Sequence, residues 1–342
     1  MAKKISLKDV ARHVGVSTAL VSYVINNKEK EARVGSEMVQ KIRRAVAELN
    51  YQPNLIAKSL KSGRTHTIGL IVADISNPFF SNIARIIEDE AKKEEYIVII
   101  GSSDENAEKS QDLINVFFNR QVDAFIIAPV ENTENQVIEL QKQNVPVVLI
   151  DRYFTTLEVD SVHIDNFQAA HDAVEHLALN GNKRIAMMGY DTSLSHMQER
   201  KNGYKAALKD TGIKVRSALI KNISYQNIEK EVAIAMRKLL ELVPKIDAIF
   251  FATNTLAIEG LKIVYGLQIR VPEDLSIISF DESDAFDFFY SPLSYVSQPL
   301  AEMGKKAVTL AIEKIKDNDK KYVTILVKGK LVLRKSCGTR TN

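Results

Sequence analysis

Apolar residues near the start of the chain recur at helical spacing in two short runs, which are joined by a turn at Gly15. The segment spans residues 7–26 and reads LKDVARHVGVSTALVSYVIN. Ser17 stands at the N-cap position of the second helix. Its hydroxyl can accept a hydrogen bond from a backbone N–H that has no partner within the helix. The pattern predicts a helix-turn-helix or, at its plainest, a small solvent-exposed helical hairpin.

The second of these helices has a short, polar and uncharged face beside its apolar stripe. Such a face is typical of a helix that reads base edges in the major groove of DNA. The candidate DNA-contacting residues are therefore Ser17 at the cap and Thr18, Ala19, Ser22, Tyr23 and Asn26 on that face.

A third helical pattern follows over 36–49, and the segment Tyr51-Gln52-Pro53-Asn54 ends it. The next stretch, LIAKSLKSGRTHT, is basic on one side and has about two helical turns, which are marginal as an isolated helix. We expect it to fold only against DNA or against its symmetry mate. These patterns predict a DNA-binding domain over 1–52 and a hinge helix or linker over 53–66.

From Thr67 onward, near-continuous apolar runs alternate with amphipathic helical segments. Such runs are typical of parallel strands covered on both faces, and their spacing implies βαβ units in doubly wound sheets. Because the runs are too many for one compact sheet, we expect an α/β core over 67–342 with two similar lobes and a cleft. The predicted strands are 68–75, 96–103, 124–130, 146–151, 161–165, 184–189, 248–254 and 275–281.

Charge is distributed unevenly along the 342 residues, although the net formal charge is only +3. Residues 1–64 carry 13 lysines and arginines against 5 acidic residues, whereas the remainder carries 33 basic and 38 acidic residues. A basic amino-terminal module on a mildly acidic body indicates a phosphate-binding head on a sensor or an enzyme. A solvated basic face is the plainer explanation, but here the charge coincides with the helix-turn-helix.

Several kinds of site have no signature in the sequence. The one cysteine, Cys337, leaves no internal disulfide or cysteine-based zinc site and fits a reducing compartment. We find no signal-peptide core and no apolar run near the roughly 20 residues of a membrane helix, so we expect a cytoplasmic protein. No Walker A, G-x-G-x-x-G, H-E-x-x-H or G-x-S-x-G motif occurs. We therefore expect no enzyme, no catalytic residue, no cofactor and no metal.

Polar side chains gather directly after the predicted strands, where open parallel sheets bind their ligands. Carboxylates, amides and a guanidinium pair well with vicinal hydroxyls, and aromatic rings cover apolar faces. This chemistry indicates a site for a sugar or a nucleoside, although several of these residues would equally suit helix caps. The candidates are Phe79, Phe80, Asp151, Arg152, Tyr225, Asn254 and Asp281.

In combination these motifs resemble those of the lactose-repressor (LacI/GalR) family of transcription regulators over essentially the whole chain. The segments that carry the resemblance are LKDVARHVGVSTALVSYVIN, LNYQPNLIAKSLKSGRTHTIGLIVADISNPFF, VDAFIIAPV, PVVLIDR, QERKNGY, VPEDLSIISFDES and SPLSYVSQPLAEMG. The resemblance implies a helix-turn-helix head, a hinge helix and a core like that of the periplasmic sugar-binding proteins. Three crossovers would place 68–165 with 294–323 in one lobe and 166–293 with 324–342 in the other.

Matching positions extend the resemblance to single residues. Thr18, Ala19 and Tyr23 match base-reading positions of the family. Leu60 matches a hinge leucine that wedges into the minor groove, with Lys61 and Ala57 beside it on the hinge. The positions of the ligand pocket are matched by Phe79, Phe80, Asp151, Arg200, Asn254 and Asp281.

The resemblance implies a homodimeric repressor that binds pseudo-palindromic operator DNA under the control of a small ligand, most simply a carbohydrate. Two departures stand out: the loop 27–33 is longer than expected, and Thr255 stands where the family usually has aspartate. A regulator with a nucleobase-like corepressor, a solute-binding protein and a nucleotide-dependent α/β enzyme are the alternatives. The sequence does not distinguish an inducer from a corepressor.

Overall fold

The structure, a computed structural model, describes residues 5–51 and 63–338. The chain divides into two compact units, Met1–Thr65 and His66–Asn342. The expected hinge residues Ala57, Leu60 and Lys61 lie outside the described residues. Within the described ranges, no helix has both the length and the apolar character needed to cross a membrane.

Within residues 5–51, the first unit packs three helices, α1 (Leu7–Val14), α2 (Thr18–Ile25) and α3 (Ser36–Glu48), around one small core. Gly15 ends α1 in the left-handed conformation, with a φ of 80° that suits a glycine. The Ser17 hydroxyl accepts a hydrogen bond from the Leu20 amide at 3.2 Å and caps α2, as the sequence predicts. The buried core consists of Val10, Ala11, Val14, Val21, Val24, Val39, Ile42 and Ala45.

The second unit contains two six-stranded sheets, and each defines a lobe. The first-lobe sheet has the order β11-β5-β4-β3-β1-β2, and its strand pairs are all parallel. Its strands are β1 (Thr67–Val72), β2 (Ile97–Ser102), β3 (Ala124–Ile127), β4 (Val147–Ile150), β5 (Asp160–Ile164) and β11 (Thr324–Val327). Its helices are α4 (Pro78–Lys93), α5 (Ala107–Asn119), α6 (Glu134–Lys142) and α12 (Leu300–Lys316).

The second-lobe sheet has the matching order β12-β10-β9-β8-β6-β7, in which only the β10–β12 pair is antiparallel. Its strands are β6 (Ile185–Tyr190), β7 (Ile220–Ile223), β8 (Ala248–Phe251), β9 (Ser276–Phe280), β10 (Ser294–Ser297) and β12 (Lys330–Val332). Its helices are α7 (Asn166–Leu179), α8 (Ser195–Asp210), α9 (Ile228–Leu240), α10 (Asn254–Gly266) and α11 (Ala285–Phe288).

The chain passes between the two lobes three times, and two of these crossovers lie later in the chain than the resemblance implies. Strand β10 pairs with β9 in the second lobe, although 294–323 was expected in the first. Strand β11 pairs with β5 in the first lobe, although 324–342 was expected in the second. Each boundary is displaced by one short strand, because the pairing of a strand, which local sequence does not specify, decides the lobe to which it belongs.

The central strands are buried on both faces by helices, as their continuous apolar sequences require. Because these strands are parallel, their carboxyl ends lie along a single edge of each sheet. Residues that follow the strands are therefore brought together, and this edge is where an open α/β sheet binds its ligands.

Candidate functional site

Residues beyond the strand ends of both lobes line one cavity of about 220 Å³. Loops that follow β1, β2 and β4 contribute from the first lobe, and α8 and the ends of β6, β8 and β9 contribute from the second. The cavity is lined by Asp74, Asn77, Phe79, Phe80, Asp104, Glu105, Asp151, Arg152, Tyr190, His196, Arg200, Tyr225, Ile228, Thr253, Thr255, Asp281 and Gln298.

The structure brings most of the expected ligand residues together. Asn254 is the exception, because it is buried beside the cavity and does not line it. Its side-chain amide donates hydrogen bonds to the Glu282 carbonyl at 3.2 Å and to Asn77 Oδ1 of the first lobe at 3.4 Å. The expected residues that do line the cavity are Phe79, Phe80, Asp151, Arg152, Arg200, Tyr225 and Asp281.

Arg152 is held by acidic groups of its own lobe. Its Nη1 and Nη2 donate to the two carboxylate oxygens of Glu105 at 2.8 and 2.6 Å, and its Nε lies 3.5 Å from Asp151 Oδ2. Burial disfavours the guanidinium, but the charge and hydrogen bonds of Glu105, together with Tyr225 and Asp151, outweigh this effect and raise the pKa of Arg152. The guanidinium therefore enters the cavity as one half of a bidentate ion pair.

Arg200 is the corresponding cation of the second lobe and lies within α8. Its Nε donates to Asn166 Oδ1 at 2.9 Å, and its Nη1 donates to the Ala252 carbonyl at 2.7 Å. The guanidinium carbon lies 3.5 Å from the centre of the Phe280 ring, within cation–π range. Burial lowers the pKa of Arg200, while the carboxylate of Asp281, with Oδ2 at 3.8 Å from Nη1, favours the charged form.

Asp281 and Gln298 form a second polar group in the cavity. The Gln298 side-chain amide donates to Asp281 Oδ1 at 2.6 Å. Burial raises the pKa of Asp281, and the charge of Arg200 opposes that rise. Gln298 follows β10, a strand that the sequence analysis did not predict, so its place in the site was missed.

His196 is a buried cavity residue that the sequence analysis also missed. Burial first, and then the positive charges of Arg152 and Arg200, lower its pKa well below the usual value, so the imidazole is neutral. It precedes Arg200 by four residues on α8, which places both side chains on one face of that helix. The spacing of four residues between His196 and Arg200 is the sequence signal that would have placed His196 beside Arg200 in the cavity.

Several buried polar atoms around the cavity have no hydrogen-bond partner within the described residues. Buried polar atoms are almost always satisfied, and an unmet bond costs about 1–3 kcal/mol. Tyr225 also stacks on Tyr190, with ring centres 3.9 Å apart, and provides a flat apolar wall. The unpartnered cavity atoms are Arg152 Nε, His196 Nδ1, Tyr225 Oη and Gln298 Oε1.

The first unit presents the predicted polar face of α2 outward. Tyr23 is 44% exposed, and Thr18, Ala19 and Asn26 are also exposed, whereas Ser22 is half-buried and accepts a hydrogen bond at its carbonyl from the Asn26 amide at 2.8 Å. This surface is uncharged and has the short side chains and the single aromatic ring that suit contacts with base edges.

The loop between α2 and α3 is held by Arg43, which lies on α3. Its Nη2 donates to Asn27 Oδ1 at 3.2 Å and to Glu29 Oε1 at 2.9 Å. Arg43 is thus occupied in ordering the loop that the sequence analysis found unexpectedly long.

Two family models together cover nearly the whole chain. Residues 6–54 match the model described as bacterial regulatory proteins, lacI family. Residues 65–334 match the model of periplasmic binding proteins and the sugar-binding domain of the LacI family.

Similar proteins match over comparable lengths. Catabolite control protein A of Priestia megaterium is 38% identical over 90% of this chain and 91% of its own. A structure of the lac repressor dimer bound to operator and the anti-inducer ONPF has a TM-score of 0.86 at 22% identity, and covers 98% of this chain and 99% of the other. A LacI-family regulator from Enterococcus faecium with bound ribose has a TM-score of 0.70 at 26% identity, over 80% and 99% of the two chains.

Proposed function

The chain belongs to the LacI family of DNA-binding transcriptional repressors, and we propose that a sugar-like ligand in the cavity between its two lobes controls its affinity for operator DNA. The family consists of transcriptional regulators and not of enzymes.

The observation that carries the sugar assignment is the set of unpartnered buried polar atoms around one small cavity. Arg152 Nε is a hydrogen-bond donor and Gln298 Oε1 is an acceptor. The Tyr225 hydroxyl and the neutral His196 ring can each donate or accept a hydrogen bond. A polyhydroxylated ligand supplies donors and acceptors in close succession and would satisfy all four. The stacked Tyr190 and Tyr225 rings and Phe79 and Phe80 would cover the apolar faces of a sugar ring.

For the DNA-binding unit, we assign base contacts to the outward face of α2, with Tyr23 as the principal reader. Ser17 uses its hydroxyl to cap α2 and would approach the phosphate backbone at the positive end of the helix. Ala57, Leu60 and Lys61 are assigned to the hinge by resemblance alone, with Leu60 as the minor-groove wedge.

Two copies of the chain would bind one pseudo-palindromic operator in the cytoplasm, where bacterial DNA is found. A single helix-turn-helix offers few base contacts, and a two-fold dimer doubles them on two half-sites. The positive charge of residues 1–64 would give the complex a steep dependence on salt concentration.

A selection experiment tests this function with the full-length chain. Genomic DNA fragments whose migration is retarded by the bound protein are recovered and sequenced. Sedimentation gives the mass of the complex. We expect a pseudo-palindromic motif bound by two chains and a tenfold or greater change in affinity with a sugar from a panel of monosaccharides. Recovery of fragments without a shared motif, or a motif whose binding no sugar alters, would contradict the proposal.

A further inference from the structure

We infer that the cavity accepts an uncharged monosaccharide and excludes the phosphorylated form of the same sugar. This inference rests on the proposed function and narrows it to one chemical class of ligand. The charges that line the cavity, their existing partners and the available volume all favour such a ligand.

Negative charge predominates in the lining. Five carboxylates and two guanidiniums line the cavity, and no lysine is found among its described lining residues. Asp104 is the most exposed of the five and is paired with Lys109, which lies outside the lining. An anionic ligand would be repelled at short range, because two guanidiniums cannot neutralise the four remaining carboxylates. These carboxylates are Asp74, Glu105, Asp151 and Asp281.

Neither guanidinium is free to neutralise a phosphate. Arg152 already makes a bidentate ion pair with Glu105 at 2.8 and 2.6 Å. Arg200 is committed to Asn166 and to the Ala252 carbonyl, with Asp281 at 3.8 Å. A phosphate would therefore compete with Glu105 and Asp281 for the guanidinium charges, and displacing either would leave a buried carboxylate without its partner, which is strongly unfavourable.

His196 does not supply the missing positive charge. It is 3% exposed, and its Nδ1 has no hydrogen-bond partner among the described residues. Burial and the neighbouring Arg152 and Arg200 hold its pKa well below the usual value, so the ring stays neutral near pH 7. A neutral imidazole is suited to a hydroxyl group, which it can meet as donor or acceptor.

The volume of the cavity agrees with a small ligand. At about 220 Å³ it equals roughly seven water molecules at their share of liquid volume, and it lies below the roughly 300 Å³ at which pockets for drug-sized ligands begin. One sugar ring fits this space, and an added phosphate would meet the carboxylates at its wall.

Calorimetry with matched pairs of compounds tests the inference on the full-length chain. The pairs are D-ribose and ribose 5-phosphate, D-glucose and glucose 6-phosphate, and D-fructose and fructose 6-phosphate, with cytidine as a nucleoside probe. We expect at least one free sugar to bind, and its phosphate to bind at least a hundredfold more weakly. A phosphate that binds as tightly as its parent sugar would overturn the inference and leave the proposed sugar site standing. Binding of cytidine and of none of the sugars would instead overturn the proposed function.

A charge-removing variant tests the cause. Glu105→Gln removes the carboxylate that pairs with Arg152. We expect this change to reduce the ratio of the dissociation constants of the sugar phosphate and the free sugar tenfold or more. Glu108→Gln is the matched control, because Glu108 is exposed three residues away and does not line the cavity. An unchanged ratio in Glu105→Gln, with the free sugar still bound, would show that charge does not set the selectivity.

Discussion

Asp151 and Asp281 occupy equivalent places in the two lobes. Each directly follows the fourth strand of its lobe along the chain, β4 or β9, and both have left-handed backbone conformations, with φ of 67° and 66°. Each amide donates to a carbonyl of the next strand, Val162 at 2.9 Å and Val296 at 3.0 Å. Non-glycine residues adopt this conformation rarely and often at functional sites. The two lobes thus present one buried carboxylate each to the same cavity.

Asp281→Asn should weaken the binding of the ligand about ten- to a hundredfold. The substitution removes a charged hydrogen-bond acceptor, an effect of about 1.5–3 kcal/mol. Calorimetry with the sugar identified in the panel measures the loss. The matched control is Asp284→Asn, an exposed carboxylate three residues away that should bind the sugar like the native chain. Equal affinity in both variants would place the ligand elsewhere.

Stability should depend on pH through Asp151. Burial raises the pKa of its carboxyl from the ordinary value of 3.8 to about 6, because it outweighs the attraction of Arg152 and Arg200. Folding therefore favours the protonated form, and the resulting stabilisation is fully present below pH 3.8 and lost as the pH rises through 6. A rise of this size corresponds to on the order of 3 kcal/mol.

Urea unfolding of the native chain and of Asp151→Asn between pH 4 and 7 measures this contribution. We expect the free energy of unfolding of the native chain, relative to that of the variant, to fall as the pH increases. A difference that stays constant across this range would contradict the role of Asp151.

Near the cavity, direct hydrogen bonds between protein residues join the two lobes. The Tyr153 hydroxyl of the first lobe donates to Glu199 on α8, and the Tyr153 carbonyl accepts from the Ser195 hydroxyl at 2.7 Å. Nearby, the amide and the hydroxyl of Ser193 donate to Glu131. These bonds hold the two lobes together in the arrangement of this structure.

Tyr153→Phe should lower ligand affinity about three- to tenfold without touching the cavity. The loss of one hydrogen bond shifts the lobes toward an open arrangement. Part of the binding free energy of the ligand is then used to bring the lobes back together, which lowers the apparent affinity. Calorimetry together with small-angle scattering of the unliganded variant checks both effects. Tyr265→Phe, at a tyrosine that is 71% exposed, serves as control. An affinity and a scattering profile identical to those of the native chain would count against this function of Tyr153.

Tyr23→Ala should change which DNA sequence is bound. Tyr23 is exposed on the outward face of α2, and base discrimination at one position amounts to about 1–3 kcal/mol. Lys61→Ala, by resemblance a change on the hinge, should weaken all sequences about equally. Selection from random DNA distinguishes the two, and the same motif for Tyr23→Ala and the native chain would refute the assignment.

Seven of the eight predicted strands lie inside the sheets, where burial on both faces requires a continuous apolar sequence, as in Ala124–Ile127 and Ala248–Phe251; the eighth, β2, lies at a sheet edge. The four strands that were not predicted include three edge strands, β7, β11 and β12, for which burial on both faces is not required. Ile220–Ile223 lies at a sheet edge and contains Lys221 and Asn222. In β10 the buried Ser294 is satisfied by hydrogen bonds from or to Arg334, Ser336 and Cys337, which are distant in sequence.

The candidate site followed from the rule that ligands bind beyond parallel strands, which found Asp151 and Asp281. The same rule could not find Gln298, since its strand was not predicted. It also placed Asn254 in the cavity, whereas this side chain turns toward Asn77 and Glu282. Local sequence does not reveal such a contact between lobes, because it depends on the tertiary arrangement.

The most direct test of the account measures operator affinity by fluorescence anisotropy, with and without the sugar, in the native chain and in Asp281→Asn. The operator is the fragment recovered from genomic DNA. We expect the sugar to change the dissociation constant of the native chain at least tenfold. Asp281→Asn should bind the operator like the native chain without sugar but fail to respond to the same sugar concentration. An equal response in both proteins, or no response of the native chain to a sugar that it binds, would contradict control through this cavity.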